Sequence, residues 1–566
     1  MHVFDEFKKE VIQMLSDSYG GDVASTLIYP QQRAFGEISS NFAFKLKSNL
    51  SQNPITIADN FANNHKNGKY VSKVEAKSGY VNFFIDQKLF LDDVSKESSL
   101  ANYGSSKEGS NKKIIIDYSS PNIAKPFGVS HLRSTAIGDS LSMCYSFLGY
   151  SCERINYLGD WGTQFGKLME AYLLWGDVNR LKADPLEESL ALYIKFNKQA
   201  ESDPTLEDKA RLWFKKLEDQ DPKALEMWNI FRNYSIDYFK RIYSLMGVTF
   251  DSIEGESAYA KGEHTNKVLS NLAALNLSSS DQDGSIIINL DAYNLGTTIL
   301  QKKDGSTLYI LRDIAAAIDR NERYAFKKSI YVVGADQNLH FKQLFKILEL
   351  MGYQWAKDCV HVEFGLITID KKKMSTRKGK IVLLEDILKS SIDQVDIIIK
   401  NRDKKPTSDV KKISSIVGIG AVKFAIISHE RKHTVEFNME RILDFNGDTG
   451  PYLQYAFARA SKLLGGATHN DKKLSILSEI EKDLLYKIFQ FPEIIKKAAY
   501  QYQINAISSY LIELTHLFSA FYESCPVNSD AIAPSERLSR LLIVECFSNT
   551  LKNGLMLLGI NVMEEM

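Results

Sequence analysis

The chain has 566 residues, 44% of them hydrophobic, and its 70 Lys plus Arg are matched by 70 Asp plus Glu. At roughly 150 residues per domain the length predicts about three or four domains with sizeable cores, and the charge balance excludes a global field for nucleic acid, so any RNA contact must come from local patches. Five scattered cysteines (Cys144, Cys152, Cys359, Cys525, Cys546) argue against a zinc site or disulfide frame and for a reducing cytoplasm, no apolar run approaches the ~18 residues of a membrane helix, and the acids of MHVFDEFKKEV argue against a transit peptide.

Residues 1–106 begin with an amphipathic pattern (Phe4, Phe7, Val11, Leu15) and then alternate short helices and strands, which predicts a compact α/β domain. A Ser/Lys/Gly-rich connector, Asn102 to Lys113, leads to a β-branched run ending at Tyr118 that reads as a strand buried on both faces of a parallel sheet. Ser119, Ser120, Pro121 and Asn122 form a turn cluster, and helical periodicity starts near His131 and runs to Leu148. In an open α/β sheet such a junction lies at the carboxyl edge of the strands, where ligands bind and a helix start favours phosphate. Lys125, His131 and Arg133 add cationic donors there.

RINYLGDWGTQFGKLMEAYLLWG repeats strand, glycine turn and helix, as expected of a Rossmann-type doubly wound α/β domain, here placed at 107–400. Gly159, Gly162 and Gly166 read as close backbone approaches and Gln164 as a polar group aimed at the cleft. A charged helical block from about Asp177 to Gly247, with strand-like text at Gly284 to Leu290 and Thr297 to Gln301, predicts an insertion over about 177–310. In DGSTLYILRDIAAAIDR a strand leads into a helix, and Tyr309 and Asp313 share a face if the helix has begun by Tyr309. KKSIYVVGADQNLHFKQLFKIL supplies another wall of the cleft, and six of the ten residues from Lys371 to Lys380 are basic. The rest, 401–566, reads as helical, with Tyr452, Tyr455 and Arg459 on one face after a Gly-Pro start. These three either stack on unpaired bases or pack a domain junction.

SSPNIAKP followed by GVSHLRSTAIGD resembles the adenylate-forming signature of class I aminoacyl-tRNA synthetases, and more narrowly the arginyl-tRNA synthetases. Their usual form is HVGHLRST, so Gly128 and Ser130 replace the first His and the Gly of the box, and His131 alone remains of the His pair. GDWGTQFG matches the same family, and KMSTRKG resembles its version of the KMSKS loop, with Thr376 at the second Lys position. Gly36 to Asn64 resembles the amino-terminal additional domain that meets the tRNA elbow, and the end of the chain, with its closing LLGI, resembles the helical anticodon-binding domain.

The resemblance implies a ligase that activates L-arginine with ATP and passes it from arginyl-adenylate to the 3′ end of tRNA(Arg). ATP is then a substrate accompanied by Mg²⁺, no metal is bound by protein ligands, no membrane is involved, the expected state is a monomer, and tRNA is needed before adenylate forms. It also assigns catalytic roles to Lys125, His131, Lys373, Arg377 and Lys378, and ATP contacts to Gly128, Ser130, His131, Gly365, Lys373, Met374 and Ser375. Asp117, Ser120, Pro121, Asn122, His131, Glu256, Tyr309, Asp313 and Gln337 would hold arginine, with Asp313 and Glu256 on the guanidinium, and Tyr452, Tyr455 and Arg459 would meet tRNA. The replaced signature His leaves a competing expectation, a catalytically impaired tRNA-binding paralogue. A small-molecule nucleotidyltransferase of the same superfamily is a weaker one, having no use for two flanking RNA-binding domains.

Overall fold

The protein is described here from a computed structural model. The described residues are 2–20, 22–30, 33–50, 52–65, 67–123, 127–260, 262–369, 372–373, 382–401, 409–465, 474, 477–529 and 531–566.

The chain's β-branched runs build one central sheet of five strands: β1 (Lys113–Asp117), β2 (Ser151–Leu158), β3 (Ser252–Gly255), β4 (Lys328–Tyr331) and β5 (Cys359–His361). Their spatial order is β5-β4-β1-β2-β3, and every neighbouring pair is parallel. Registers such as Ile114 with Cys152 and Ser329 with Ile115 put the apolar stems of the central strands side by side. Chain order runs outward from β1 through β2 to β3, then restarts on the other side with β4 and β5. That reversal between β1 and β4 is a topological switch point, and it opens a crevice beyond the carboxyl ends of the strands.

Helices wall the crevice. Ser130–Phe147 follows β1, Thr163–Trp175 follows β2, Tyr309–Tyr324 precedes β4 and Asn338–Leu350 follows it. The first packs tightly on the sheet because Gly138 brings its backbone against Tyr118, where an added Cβ would lie 2.2 Å from Tyr118 Cγ.

β3 falls inside the stretch expected to be one insertion over 177–310. Four helices (Val178–Ala183, Pro185–Ala200, Thr205–Glu218, Pro222–Met246) come before it. A separate antiparallel sheet of Ser279–Ser280, Ile286–Asn289 and Thr297–Gln301 comes after it. The expected single block is therefore two, divided by the sheet's edge strand. Its sequence, SIEG, has one aliphatic residue and mostly intermediate burial, so it lacks the apolar run that marks a central strand.

The amino-terminal region folds as a four-stranded antiparallel sheet with helix Val3–Tyr19. It docks on the helical carboxyl-terminal region through Phe4 against Phe489 (4.9 Å between centroids), Lys8 with Glu493 (2.7 Å) and Tyr103 Oη donating to the Ile488 carbonyl (2.9 Å). Among the described residues no helix is long and apolar enough to cross a membrane.

Candidate active site

β1 ends on Asp117, and after Tyr118 the chain turns sharply, with φ of +72° at Ser119 and +45° at Ser120. Non-glycine residues in that region cost about 1–3 kcal/mol each and persist only where neighbours over-determine them. Here they do. Ser134 Oγ accepts from the Ser119 N–H (2.9 Å) and itself donates to the Val332 carbonyl (2.7 Å). Asn156, fully buried on β2, accepts from the Ser120 N–H (3.1 Å) and donates to Tyr243 Oη (3.0 Å). Thr135 Oγ1 donates to Ser119 Oγ (2.8 Å). Asn122 is exposed and its backbone bridges to Gly159, where a Cβ would lie 2.0 Å from Asn122 Oδ1, and the Pro121 carbonyl accepts from the Gly159 N–H. Of the three glycines of GDWGTQFG expected to be close approaches, Gly159 is one and so is Gly166, where a Cβ would lie 1.9 Å from the Ala210 carbonyl, whereas at Gly162 (φ +139°) it would meet only Tyr309 Oη at 4.0 Å.

The three acids expected at the crevice have different partners. Asp117 is buried, takes Arg320 Nη1 on one oxygen (2.8 Å) and Ser120 Oγ on the other (2.9 Å), and burial raises its carboxyl above the usual range. Glu256 lies 3.0 Å from Arg312 Nη2, and burial pushes its carboxyl up to about 8 even so. Asp313 meets His340 Nε2 at 2.6 Å. Helix Tyr309–Tyr324 begins at Tyr309, which puts Tyr309 and Asp313 on one face. The Arg312 guanidinium sits 4.7 Å from the Tyr309 ring centroid, and Tyr309 as a residue remains 55% exposed. Gln337 is exposed at the short turn between β4 and its helix.

Asp313 is therefore the one acid of the three whose partner is not an arginine. A planar cation with five donors needs acceptors in a fixed fork, and beside a flat aromatic ring this carboxylate offers one. Arg312, Arg320, His340 and Asn156 were not singled out in the sequence as site residues. The available signal was a polar residue inside a buried strand for Asn156 and a basic one on the apolar face of an alanine-rich helix for Arg320.

The helix after the turn starts at Ser130 with Val129 as its cap residue, which makes no side-chain cap bond, and the His131 and Leu132 N–H groups donate to the Gly128 and Val129 carbonyls (both 3.0 Å). His131 is half-buried with its ring 5.1 Å from Phe127. Gly128 forms an antiparallel bridge with Leu383, so its backbone is engaged at the position of the missing His. Gly365 donates to the Arg431 carbonyl (2.8 Å), and a Cβ there would meet the Lys432 and His433 carbonyls at 2.6 and 2.8 Å. Lys373 pairs with Thr368 through its backbone. Lys125, Met374, Ser375, Arg377 and Lys378 lie outside the described residues, as does the side chain of Lys373.

In the helical region, Gly450–Leu464 carries the expected face. Tyr452 hydrogen-bonds Ser519 Oγ (3.2 Å), and the Arg459 guanidinium lies between the rings of Tyr455 (5.0 Å) and Tyr522 (4.7 Å). Tyr522, exposed on Asn505–Ser524, completes a platform that the spacing within one helix could not reveal.

Comparison with known proteins covers the whole chain. The family described as tRNA synthetases class I (R), catalytic domain, matches residues 95–439; the Arginyl tRNA synthetase N terminal domain matches 5–85 and the DALR anticodon binding domain 453–566. The arginine–tRNA ligase of Halothermothrix orenii is 40% identical over 572 residues, covering 99% of this chain and 100% of its own. That of Clostridium acetobutylicum is 39% identical over 571 residues with the same coverage. Among solved structures, the arginyl-tRNA synthetases of Thermus thermophilus (TM-score 0.85, 20% identity, 100% of both chains) and Plasmodium falciparum (TM-score 0.82, 22% identity, 100% and 99%) share the fold.

Proposed function

We propose, for a chain that belongs to the arginyl family of class I tRNA synthetases, that it is an arginine–tRNA ligase, joining L-arginine to tRNA(Arg) with ATP cleaved to AMP and pyrophosphate. The observation that carries this is the 40% identity that runs through 99% of the chain, across catalytic and tRNA-binding regions alike.

The reaction we assign to the crevice has two steps. The arginine carboxylate attacks the α-phosphate in line, pyrophosphate leaves, and a hydroxyl of the terminal ribose of tRNA then attacks the carbonyl of the adenylate and displaces AMP. Neither step needs a protein nucleophile, so the protein's contribution is positioning and charge stabilisation. The uncapped start of Ser130–Phe147, with His131, receives the triphosphate. Lys125, Lys373, Arg377 and Lys378 supply positive charge to the leaving pyrophosphate, and Mg²⁺ comes as part of the nucleotide substrate and neutralises it further. Asp313 takes the guanidinium with Tyr309 flanking its plane, while Asp117, Ser120, Asn122 and Gln337 line the amino-acid end. Glu256, held by Arg312, adds its negative charge to the pocket only as pH rises toward about 8. Tyr452, Tyr455 and Arg459 meet unpaired bases of the tRNA. The catalytic unit is read as 107–400, flanked by tRNA-binding regions at 1–106 and 401–566, and the chain works as a monomer in the cytoplasm. No observation favours the impaired paralogue.

The test is tRNA charging with each amino acid in turn, followed by Asp313→Asn. Arginine alone should be charged. Losing a charge-assisted bond worth about 1.5–3 kcal/mol should raise the arginine KM roughly tenfold or more without unfolding the chain. An unchanged KM in a folded variant would sink the assignment of Asp313.

A further inference from the structure

Arg133, in the first turn of the signature helix, is fully buried, and among the described residues no carboxylate pairs with it. Its guanidinium is spent on backbone carbonyls: Nη1 donates to Leu366 (3.2 Å) and His433, and Nη2 to Glu430 (3.0 Å). Burial without a counter-ion pulls its pKa down to about 10. A buried cation answered only by dipoles is poor at stabilising a fold, and an apolar side chain of similar volume does that better. What the planar fork supplies is geometry, since it fixes three carbonyls from two segments relative to one helix start.

Those segments lead to the second signature. Leu366 precedes the short strand Ile367–Ile369, whose Thr368 pairs with the backbone of Lys373, and the Leu366 carbonyl also accepts from Val435 of the parallel strand Val435–Phe437 (2.9 Å). On the far side of residues 374–381, Gly128 bridges Leu383, the Val129 N–H donates to the Val382 carbonyl (3.3 Å) and the Leu384 N–H donates to the Phe127 carbonyl (3.0 Å). Both flanks of KMSTRKG are thus fastened to residues around the helix start, one by the Arg133 side chain and one by the backbone of Phe127, Gly128 and Val129.

We infer that Arg133 is a positioning residue for the nucleotide step: it ties the strand Ile367–Ile369, which pairs with the backbone of Lys373, to the phosphate-facing start of Ser130–Phe147. This rests on the ligase reading above. It separates Arg133 from the arginine pocket, whose residues it does not touch.

The experiment is arginine-dependent ATP–pyrophosphate exchange with tRNA present, on full-length wild type, Arg133→Lys and Arg133→Met, with melting temperature and tRNA affinity measured alongside. Lys keeps the charge and loses the fork; Met keeps much of the volume and loses both. Expected is a fall in kcat of about tenfold or more with a raised ATP KM in both variants, while the arginine KM and the tRNA Kd stay within about twofold. Gly365→Ala, whose Cβ would meet the His433 carbonyl that takes Arg133 Nη1 and the neighbouring Lys432 carbonyl, should give the same split and keeps the inference testable if Arg133→Met does not fold. An active wild type whose Arg133→Lys variant keeps its kcat overturns the inference alone. Equal rises in the ATP and arginine KM with a lowered melting temperature would also overturn it, marking a merely structural residue. A wild type without exchange removes the ligase reading and this inference with it.

Discussion

Asp313 and Glu256 are both acids of the crevice, and their surroundings set them different tasks. Asp313 has a histidine, not an arginine, within hydrogen-bond distance. Glu256 is more deeply placed, and although Arg312 favours its ionised form, desolvation outweighs that attraction and raises the carboxyl from 4.5 to about 8. The linkage has a definite sign. Folding takes up a proton at Glu256 between those two values, so its contribution to stability is present below about 4.5 and is lost as pH rises through about 8. Arginine binding runs the other way, because a permanently charged guanidinium favours the ionised pocket. The arginine KM should therefore fall as pH rises from 6.5 to 8.5, and Glu256→Gln should flatten that dependence. A wild-type KM that is flat or rises over the range would contradict it. None of this was legible in the sequence: Asp117, Glu256 and Asp313 could be named there by resemblance, but their pairing with Arg320, Arg312 and His340 spans 203, 56 and 27 residues of chain.

Elements were legible where their physics is local. The run KKIIID is a strand because its β-branched side chains fit a sheet buried on both faces, and the helix after it begins at Ser130, one residue before the expected start. The turn between them was recognised from Ser, Ser, Pro and Asn, but its positive φ angles depend on Ser134, Thr135 and Asn156 from two other elements. β3 was missed for the opposite reason: an edge strand needs no apolar run. Gly138 shows how close helix and strand lie. Alanine has the better helix propensity by about 1 kcal/mol. Its methyl group, however, would enter space already filled by Tyr118, a fully buried ring tilted against Phe250. Overpacking of that kind costs about 1–3 kcal/mol, so Gly138→Ala should lower the melting temperature and weaken exchange activity together. A raised melting temperature would mean that the helix lies further from β1 than the structure has it.

At the scale of the molecule, the signature helix is tied to the rest of the chain as well as to the substrate crevice. Lys423, buried in helix Val410–Ile427, reaches Asp139 of the signature helix (3.4 Å), the Met246 carbonyl at the end of the inserted helices (3.0 Å) and the Gly559 carbonyl near the carboxyl terminus (2.8 Å). Gly559 has φ +65°, and a Cβ there would lie 2.6 Å from Lys423 Nζ, so the closing LLGI is part of this joint. The sequence made the three regions readable through composition and resemblance, yet such a joint is invisible there, because it gathers residues from four distant stretches. The central claim is that this joined chain is an active arginine–tRNA ligase with His131 and without the first signature His. Arginine-dependent ATP–pyrophosphate exchange, with and without tRNA, compared between wild type and Gly128→His, tests it most directly. Exchange by the wild type when tRNA is present is the result expected. Silence in the wild type, with exchange restored in Gly128→His, would contradict the account.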